Sequence, residues 1–404
     1  DSNNAYSNTA TVTIEVKRMF GVNLHYKILN TKQNTESVGI SSNQPDIQQI
    51  IQEAKSLGLN TIRLNLYWES YRHHKSIGNE DAYFAELENI ASTADSLGIG
   101  IIYNVMHQWY ISSYYKTVDM SAKGRGFPHE LVSYLGSKDS PVDTNITRII
   151  NGKQYNKYLA YWFWYDFLNN NQTIDGKKVW QAIWDDYYSK IVLATKDHKS
   201  TIGYALLNEP NGVSNKEFDD LTINKYIGLG RYYAFMTSNI EELLGVKNNK
   251  IIILNEIQRT WRDPNKLENI KLTVKPVIAV LKEKGYTDKE ISNKLWFDAH
   301  SYVEPDSNGN YPQYKKQYLE RLKNSINLEL FIGEWNSDKT KPLTPEYATS
   351  ALNAFKEINA KWAFFGYNPS KQSTLKDTNY NWKTDNQGRR FVDMLKDAIN
   401  TVYQ

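Results

Sequence analysis

The sequence predicts an α/β protein built as a single (β/α)8 TIM barrel. Short apolar stretches alternate with amphipathic stretches along the chain, as in a parallel sheet whose outer face is covered by helices. The unit repeats early, because the first two predicted helices both end in Leu-Gly, at Leu57-Gly58 and Leu97-Gly98. Eight strands, counted from Met19, are enough to close a barrel rather than to form an open sheet.

The predicted elements follow one another in the order that a barrel requires. Residues 1–18 are expected to form a polar N-terminal segment with a short strand at 11–16, ahead of one catalytic domain at 19–404. The barrel strands are predicted at 19–24, 61–66, 100–106, 202–208, 251–255, 295–300, 330–334 and 362–367. Helices are predicted at 45–57, 82–97, 221–244, 276–284, 314–326, 345–358 and 389–402. An open doubly wound sheet is the alternative, but no glycine-rich phosphate loop follows the first strand.

An insertion at 108–175 separates the third predicted strand from the fourth. It is rich in Tyr, Trp and Phe, above all between Tyr155 and Phe167. Loops that follow barrel strands lie on the catalytic face, so we expect the insertion to form a wall of a substrate cleft. The alternative is that these aromatic side chains form a local core of their own.

The composition excludes several classes of protein. The chain has no cysteine, so disulfides, thiol catalysis and cysteine-bound metals are excluded. Its net charge of +3 is too small to indicate a nucleic acid or an anionic membrane as partner. No apolar run is long enough for an integral membrane segment. The 29 Tyr and 11 Trp suit stacking on sugar rings as well as core packing.

The location and the oligomeric state are less clearly marked in the sequence. Asn-x-Ser/Thr sequons at Asn145 and Asn171 support an extracellular or cell-surface location. The absence of cysteine fits that location and a reducing cytosol equally. We expect a monomer.

Two predicted strands end in a glutamate. Glu209 closes the stretch GYALLNEP, in which Pro210 stops the strand, and Glu334 closes the stretch ELFIGEW. Cleavage of a glycosidic bond needs one carboxylic acid for the leaving oxygen and one carboxylate as nucleophile or base. We therefore assign Glu209 as acid/base and Glu334 as nucleophile, with their carboxyl groups ~5–5.5 Å apart as in retaining enzymes. The alternative is that each glutamate merely begins a polar loop.

Other polar side chains at the strand ends are expected to serve these two carboxyl groups or the sugar. Arg63 and Tyr302 can hydrogen-bond a carboxylate and hold it ionised. His107 and His300 can donate to sugar hydroxyls or tune the acid. The remaining residues expected to bind substrate are His25, Trp109, Asn208, Glu256, Trp335 and Phe365.

Two sets of residues compete with this assignment. Glu256 repeats the Asn-Glu pairing at the end of the fifth strand, so it is the rival of Glu209 for the role of acid. His73 and His74 are adjacent and expected on a solvated loop, and no histidine pair has the helical spacing of a metal site. We expect neither a metal nor a cofactor.

Five motifs, taken in order, resemble those of glycoside hydrolase family 5 in the clan of retaining β-glycosidases. They are Arg63 on the second strand, His107 after the third, Asn208-Glu209-Pro210 on the fourth, His300-Ser301-Tyr302 on the sixth and Gly333-Glu334 on the seventh. The resemblance implies a (β/α)8 barrel that hydrolyses β-glycosides without a cofactor. The family usually places a Trp on the eighth strand as the platform under the reacting sugar. Phe365 stands there by register, with Trp362 three residues earlier.

Within the family, several stretches are similar to the branch that contains endoglycoceramidases. These are 21–27 (GVNLHYK), 66–69 (LYWE), 106–110 (MHQWY), 124–128 (GRGFP) and the aromatic segment 161–171. The branch typically has Asp where Trp109 stands. It also carries a C-terminal β-sandwich, whereas we expect only a closing helix after the eighth strand.

The resemblance leaves three functions open. The main expectation is a retaining hydrolase of the endo-β-1,4-glucanase (cellulase) type that cleaves β-glucosidic bonds. The alternative is a glycolipid or alkyl β-glycosidase of the endoglycoceramidase-like branch. A catalytically inactive carbohydrate-binding barrel is the alternative of another class. The expected partner is a polysaccharide, an oligosaccharide or a glycolipid.

Overall fold

Eight parallel strands form a closed barrel in the computed structural model. It describes residues 19–26, 28, 44–105, 127–128, 130–131, 145–210, 225–257, 267–337, 341–368, 374–377 and 379–403, with the backbone alone at 158–160. The strands are β1 Phe20–His25, β2 Thr61–Asn65, β3 Gly100–Asn104, β4 Thr201–Ala205, β5 Ile251–Asn255, β6 Leu295–Asp298, β7 Glu329–Ser337 and β8 Lys361–Phe364. Pairing of β8 with β1 and of β6 with β7 closes the ring, so the predicted barrel is confirmed. A short strand, Ser301–Val303, follows β6 and also pairs with β7. The strand predicted at 11–16 lies outside the described residues.

Helices cover the outside of the barrel. They are α1 Ile47–Ser56, α2 Trp68–Ser76, α3 Glu80–Leu97, α4 Leu159–Leu168, α5 Val179–Ile183, α6 Ser189–Thr195, α7 Lys225–Leu244, α8 Leu267–Glu283, α9 Asp288–Lys294, α10 Gln313–Ile326, α11 Pro345–Glu357 and α12 Phe391–Tyr403. A π-helical turn, Trp184–Tyr188, joins α5 to α6. Two small hairpins pair Asn145–Ile150 with Lys153–Tyr158 and Thr173–Ile174 with Lys177–Lys178. None of the helices in the described ranges combines the length and apolar character that a membrane span needs.

One helix begins well before its predicted start. The amphipathic pattern predicts this helix from Pro276. Instead α8 begins at Leu267 and carries Pro276 inside it. Helix α7 packs closely on this part of α8, and Gly230 makes the approach possible. A Cβ at that position would lie 2.8 Å from the carbonyl oxygens of Leu272 and Thr273.

The barrel interior changes from apolar to polar along its axis. Its amino-terminal part is filled by Met19, Ile102, Ala205, Ile253, Trp296, Phe331 and Ala363. Strand residues two positions further on are polar and fully or almost fully buried: Asn104 follows Ile102, Asn255 follows Ile253, and Asp298 follows Trp296. Because side chains alternate between the two faces of a strand, residues two apart share the interior. A buried polar layer at the carboxyl end must be satisfied by hydrogen bonds within itself.

The described part of the aromatic insertion forms core rather than a cleft wall. Trp162, Phe163, Trp164 and Phe167 of α4 are fully buried, within the main hydrophobic core. Phe127 packs on them, with its ring centroid 4.8 Å from that of Phe163. A helix that is apolar on nearly all sides is stable only when protein surrounds it. The expectation of a substrate wall is therefore wrong for these side chains, and the alternative of a core is correct.

Candidate active site

Arg63 is the centre of the polar layer. It lies on β2 with its side chain fully buried. Its Nη1 donates to Glu334 Oε1 at 2.9 Å and to Asn23 Oδ1 at 2.8 Å. Its Nη2 donates to Asn208 Oδ1 at 2.6 Å and to Asp298 Oδ2 at 3.0 Å. The planar guanidinium thus holds one side chain each from β1, β6 and β7, and one from the segment that follows β4.

Two backbone irregularities bring both glutamates into the barrel. Neighbouring residues of a regular strand point to opposite faces, yet Asn208 and Glu209 both face the interior. Glu209 achieves this with φ of 41°, in the left-handed region, and its N–H donates to Asn255 Oδ1 at 3.0 Å. On β7 the register shifts between Ile332 and Trp335, as at a β-bulge, so that Gly333 and Glu334 both reach interior partners.

The carboxyl groups of Glu209 and Glu334 lie close together. One carboxylate oxygen of each lies within 4.8 Å of the other and of a ring nitrogen of His300. Two carboxyl groups with oxygens this close fit the ~5–5.5 Å separation of retaining glycosidases better than the ~6.5–9.5 Å of inverting ones.

Glu334 is held by two donors. Besides Arg63, Tyr302 donates its hydroxyl to Glu334 Oε2 at 2.7 Å. Burial and the nearby carboxylates raise the pKa of Tyr302 well above its ordinary value, so the phenol keeps the proton that it donates. Both oxygens of Glu334 are therefore engaged, and the carboxylate is fixed in orientation as a nucleophile needs.

His300 links the acid candidate to a buried aspartate. Its Nδ1 lies 2.6 Å from Glu209 Oε1, and its Nε2 lies 3.4 Å from Asp298 Oδ2. Burial alone would lower the pKa of His300, but the carboxylates of Glu334, Asp298 and Glu209 raise it well above its ordinary value. The imidazole is thus charged at neutral pH, and its Nδ1 donates to Glu209.

Asp298 is fully buried and ionised. Burial opposes its charge, but His300, Arg63 and the N–H of Gly333 together hold its pKa below the usual range. That N–H donates to Asp298 Oδ1 at 2.7 Å. Gly333 is required at this point because a Cβ there would lie 2.3 Å from both carboxylate oxygens of Asp298.

The charges of the site balance when one carboxyl group carries a proton. Arg63 and His300 supply two positive charges, which Asp298 and one glutamate neutralise. Burial raises the pKa of Glu334, and the nearby Glu209 adds to that rise, whereas His300, Arg63 and Tyr302 act in the opposite direction. The site therefore places Glu334, a carboxyl group with a raised pKa, beside a second carboxyl group, Glu209, and both contact a cationic side chain.

Asn208 is prepared to bind a further group. Its Oδ1 accepts from Arg63 at 2.6 Å and from Asn104 Nδ2 at 3.2 Å. Its Nδ2 is buried and has no hydrogen-bond partner among the described residues. Since both accepted bonds fix the amide, the free N–H group points to an absent acceptor, such as a sugar hydroxyl beside the reacting carbon.

Phe365 lies at the rim where the sugar platform was expected. Its ring is partly exposed and meets the rings of His25 and Tyr302 edge-on, with centroids 5.8 and 5.7 Å away. The other candidate, Trp362, is fully buried and packs on Phe20 with centroids 5.3 Å apart. Of the two aromatic residues, only Phe365 is in a position to stack on a sugar.

Trp335 does not fit the expected role in substrate binding. It is fully buried and packs against Phe355, Trp362 and Phe364, with ring centroids 5.5, 5.7 and 5.1 Å away. Directly after the interior residue Glu334, its side chain turns outwards into the layer between the barrel and α11. The expectation is therefore corrected: Trp335 is a core residue.

Glu256 also lies away from the carboxylate pair. It is almost fully buried, and Tyr318 of α10 donates to its Oε2 at 3.0 Å. Burial raises its pKa to about 7, although Lys315 and Tyr318 act in the opposite direction. Its position at the end of β5 suits a supporting role behind the site better than the expected contact with substrate.

The remaining predicted residues divide into two groups. His25 lies at the rim, next to Asn65 and in short contact through Nδ1 with the hydroxyl of Tyr67. His107 and Trp109 lie outside the described residues. Among the described residues, only Glu209, His300 and Glu334 could together approach a metal ion. In the structure His300 bonds to Glu209, and Glu334 accepts from Arg63 and Tyr302.

Sequence reasoning missed several members of the polar layer. Asp298 and Asn65 were not selected, nor was Asn104, whose Nδ2 donates to Asn65 Oδ1 at 2.6 Å. The spacing of the residues could have identified them. Asn65 lies two residues after Arg63, and Asp298 lies two residues before His300, so each is expected to share the interior with its neighbour. A polar residue at an interior position of a barrel strand has to find a partner in the same layer.

Comparison with protein families agrees with this geometry. A family model described as cellulase (glycosyl hydrolase family 5) matches residues 15–371. The endoglycoceramidase of Cyanea nozakii is 30% identical over 169 residues, which cover 39% of this chain and 31% of that protein. The endoglycoceramidase of Hydra vulgaris is 28% identical over 178 residues, which cover 41% and 32%. The matched stretch thus spans about a third of these relatives' length.

Solved structures share the fold along almost the whole chain. Endo-glycoceramidase II from Rhodococcus sp., in complex with a cellobiose-like isofagomine, superposes with a TM-score of 0.61 at 15% identity, covering 94% of this chain and 78% of that one. An endogalactoceramidase gives the same TM-score and identity, with 95% and 80% covered. An endo-β-1,4-glucanase from Xanthomonas axonopodis pv. citri gives 0.50 at 14% identity, with 95% and 99% covered. At these identities the likeness concerns the fold.

Proposed function

The chain belongs to glycoside hydrolase family 5, and we propose that it is a retaining β-glycosidase that releases the sugar from a lipid-linked β-glycoside. The observation that carries the chemistry is the spacing of Glu209 and Glu334, within 4.8 Å of one another beside His300. The aglycone is proposed from the relatives, since two endoglycoceramidases match this chain at 30% and 28% identity.

The proposed reaction is a double displacement. Glu334, held by Arg63 and Tyr302, attacks the anomeric carbon while Glu209 gives its proton to the leaving oxygen. The bond to the aglycone breaks as the bond from the sugar to Glu334 forms. Water, deprotonated by Glu209, then attacks the same carbon and restores the Glu334 carboxylate. The sugar leaves with its original β configuration.

The other side chains supply orientation and charge. The free N–H group of Asn208 is placed to hold a hydroxyl of the reacting sugar, and Phe365 to stack on its face. His300, positively charged, strengthens the acid by stabilising the Glu209 carboxylate that forms when the proton leaves. The smaller ring of Phe365, compared with Trp, leaves more room around the sugar.

Hydrolysis of β-1,4-glucan is the second candidate. The matching family model is described as cellulase, and an endo-β-1,4-glucanase shares the barrel. Both substrates present a β-linked sugar to the same carboxylate pair, so the difference lies in what occupies the aglycone side. Sequence relatives favour the lipid, whereas the shared fold alone is compatible with either.

A matched panel of substrates tests the proposal. The enzyme is incubated with a β-linked oligosaccharyl ceramide in detergent, with soluble cellulose derivative, with mannan and with xylan, and products are identified by mass spectrometry. Release of an intact oligosaccharide together with ceramide is expected, with β configuration in the first-formed sugar by NMR. Glu334→Gln is the inactive control. Shorter gluco-oligosaccharides from cellulose, with the ceramide glycoside untouched, would instead establish the glucanase.

A further inference from the structure

A second ionic group lies directly behind the site. Glu256, at the end of β5, and Lys315, in the first turn of α10, are both fully or almost fully buried. The Nζ of Lys315 donates to the backbone carbonyl of His300 at 3.1 Å. It also lies over the ring of Tyr318, 5.0 Å from the centroid. The hydroxyl of Tyr318 in turn donates to Glu256.

The same group is joined to β6 at a second point. The backbone N–H of Glu256 donates to the carbonyl of Asp298 at 2.9 Å. The backbone of Glu256 and the side chain of Lys315 therefore hold the chain at Asp298, the last residue of β6, and at His300, two residues later. Burying two charges is costly unless each has polar partners. Packing alone therefore does not explain why charged side chains stand at these two positions.

We propose that Lys315 and Glu256 are positioning residues that set the imidazole of His300 against Glu209. The 2.6 Å contact between His300 Nδ1 and Glu209 Oε1 depends on where the β6 backbone places the ring. Lys315 fixes that backbone through the His300 carbonyl, and the Glu256 carboxylate offsets the ammonium charge next to an already charged imidazole. The inference rests on the proposed role of Glu209 as proton donor.

The charges around the pair agree with this role. The groups that act on Glu256 are Lys315 and Tyr318 from α10 and His300 and Asp298 from β6. Burial lowers the pKa of Lys315 to about 8, and Glu256 acts against that fall. The pull of His300 on Glu256 is mutual, so the Glu256 carboxylate also stabilises the charged imidazole.

The chain contains a matched control for the pair. Lys294, which precedes β6 at the opposite end of the barrel, forms a buried ion pair with Glu241 at 2.9 Å. It also donates to the backbone carbonyl of Lys250 at 2.8 Å. Lys294→Met and Lys315→Met thus each remove a buried ammonium and its bond to a backbone carbonyl, at different distances from the site.

The test compares these variants on an activated aryl β-glycoside. We expect Lys315→Met to lower kcat at least tenfold with little change in KM, because a displaced acid affects the transition state more than binding. Lys294→Met, measured on folded protein, is expected to keep kcat within twofold. Equal losses of kcat in the two variants, or no loss in Lys315→Met, would overturn the proposal.

A second measurement needs neither substrate nor the lysine variants. The titration of His300 is followed by NMR of 15N-histidine-labelled protein, in the wild type, Glu256→Gln and the milder Tyr318→Phe. Loss of the carboxylate charge should move the His300 midpoint to lower pH by about one unit in Glu256→Gln. Tyr318→Phe should give a smaller shift in the same direction. An unchanged midpoint in both variants would refute the proposal.

Failure of the proposed function would look different. If Glu209 were not the acid, Glu209→Gln would keep activity on the aryl glycoside, and if Glu256 were the acid, Glu256→Gln alone would lose it. These results are read from activity on the aryl glycoside, whereas the midpoint of His300 is read without substrate, so the two failures can be told apart. If the proposed aglycone were wrong, only the results with the panel of natural substrates would differ from those expected.

Discussion

At the scale of single residues, the site depends on groups that pack so closely that no further atom fits between them. Gly333 carries the clearest case, because its Cα approaches the Asp298 carboxylate so closely that a methyl group cannot be added. Asp298 in turn contacts Arg63 and His300, which hold the two glutamates. A steric change at Gly333 is therefore transmitted to both Glu209 and Glu334 through the buried carboxylate of Asp298.

Gly333→Ala should damage stability and activity together. The added Cβ would lie 2.3 Å from Asp298 Oδ1 and Oδ2, so either β7 or Asp298 has to move. We expect a loss of about 3 kcal/mol in the free energy of unfolding, as for overpacked cores. We also expect kcat to fall more than tenfold. Urea unfolding and kinetics on an aryl glycoside measure the two effects.

Gly78→Ala is the control for that substitution. Gly78 has φ of 77° but nothing within 4 Å of an added Cβ, so it probes backbone strain alone. The expected cost is about 1 kcal/mol, with activity unchanged. If Gly333→Ala behaved like Gly78→Ala, the close packing on Asp298 would not constrain the site.

At the scale of elements, α2 shows how a polar sequence can form a helix with one buried face. Its residues 68–76 read WESYRHHKS, and the sequence predicts a solvated loop around His73 and His74. In the structure Trp68, Tyr71 and His74 are fully or almost fully buried. They are three residues apart, so they lie along one face of the helix, while His73 is exposed. The buried face of α2 is formed by Trp68, Tyr71 and His74, which polar and charged residues separate in the sequence.

His74 should make stability depend on pH. Burial, and next the charge of His73, lower its pKa from 6.5 to about 4. The unfolded chain therefore binds a proton between pH 6.5 and 4 that the folded chain does not. Stability is fully present above pH 6.5 and falls as pH drops through this range. We expect urea unfolding to show a loss of about 1–3 kcal/mol between pH 7 and 4.5, which His74→Gln removes.

The neighbouring histidine is the matched control. His73→Gln changes the same residue type, one position along, on the exposed face of α2. It should leave most of the pH dependence in place. A pH dependence that survives in His74→Gln and disappears in His73→Gln would contradict the assignment.

At the scale of the whole molecule, α12 secures the closure of the barrel. Tyr403 packs on Phe20 of β1, with centroids 4.2 Å apart, and its hydroxyl accepts from the indole of Trp362 on β8 at 3.2 Å. The helix also buries an apolar face against α11, including Leu395 and Ile399. Helix α12 thus contacts both β1 and β8, the strands whose pairing closes the barrel.

Leu395→Ala should loosen this closure. The side chain is fully buried, and its loss leaves a cavity that is expected to cost about 2–4 kcal/mol in urea unfolding. Lys396→Ala, on the exposed face of the same helix, should stay within about 0.5 kcal/mol. Equal effects of the two variants would mean that α12 adds little to the stability of the barrel.

Much of the architecture could be read from local patterns. The eight strands, most of their helices and the two glutamates were predicted because apolar runs, helical spacing and a carboxylate before a stop are local features. The aromatic insertion was misjudged because aromatic residues serve cores and sugar clefts equally well. Trp335 was misjudged because it directly follows the interior residue Glu334, and neighbouring side chains on a strand point to opposite faces.

The sequence by itself determined the barrel, the family resemblance and the identity of the paired glutamates, since these follow from the order and spacing of residues along the chain. Only the tertiary structure decided which polar groups meet. It joined Asp298 and Asn65 to Arg63, and Asn104 to Asn65. It also placed Lys315 behind His300. The physical reason is that such contacts depend on strand register, a bulge and one left-handed residue. These bring together groups from distant strands that no local pattern relates.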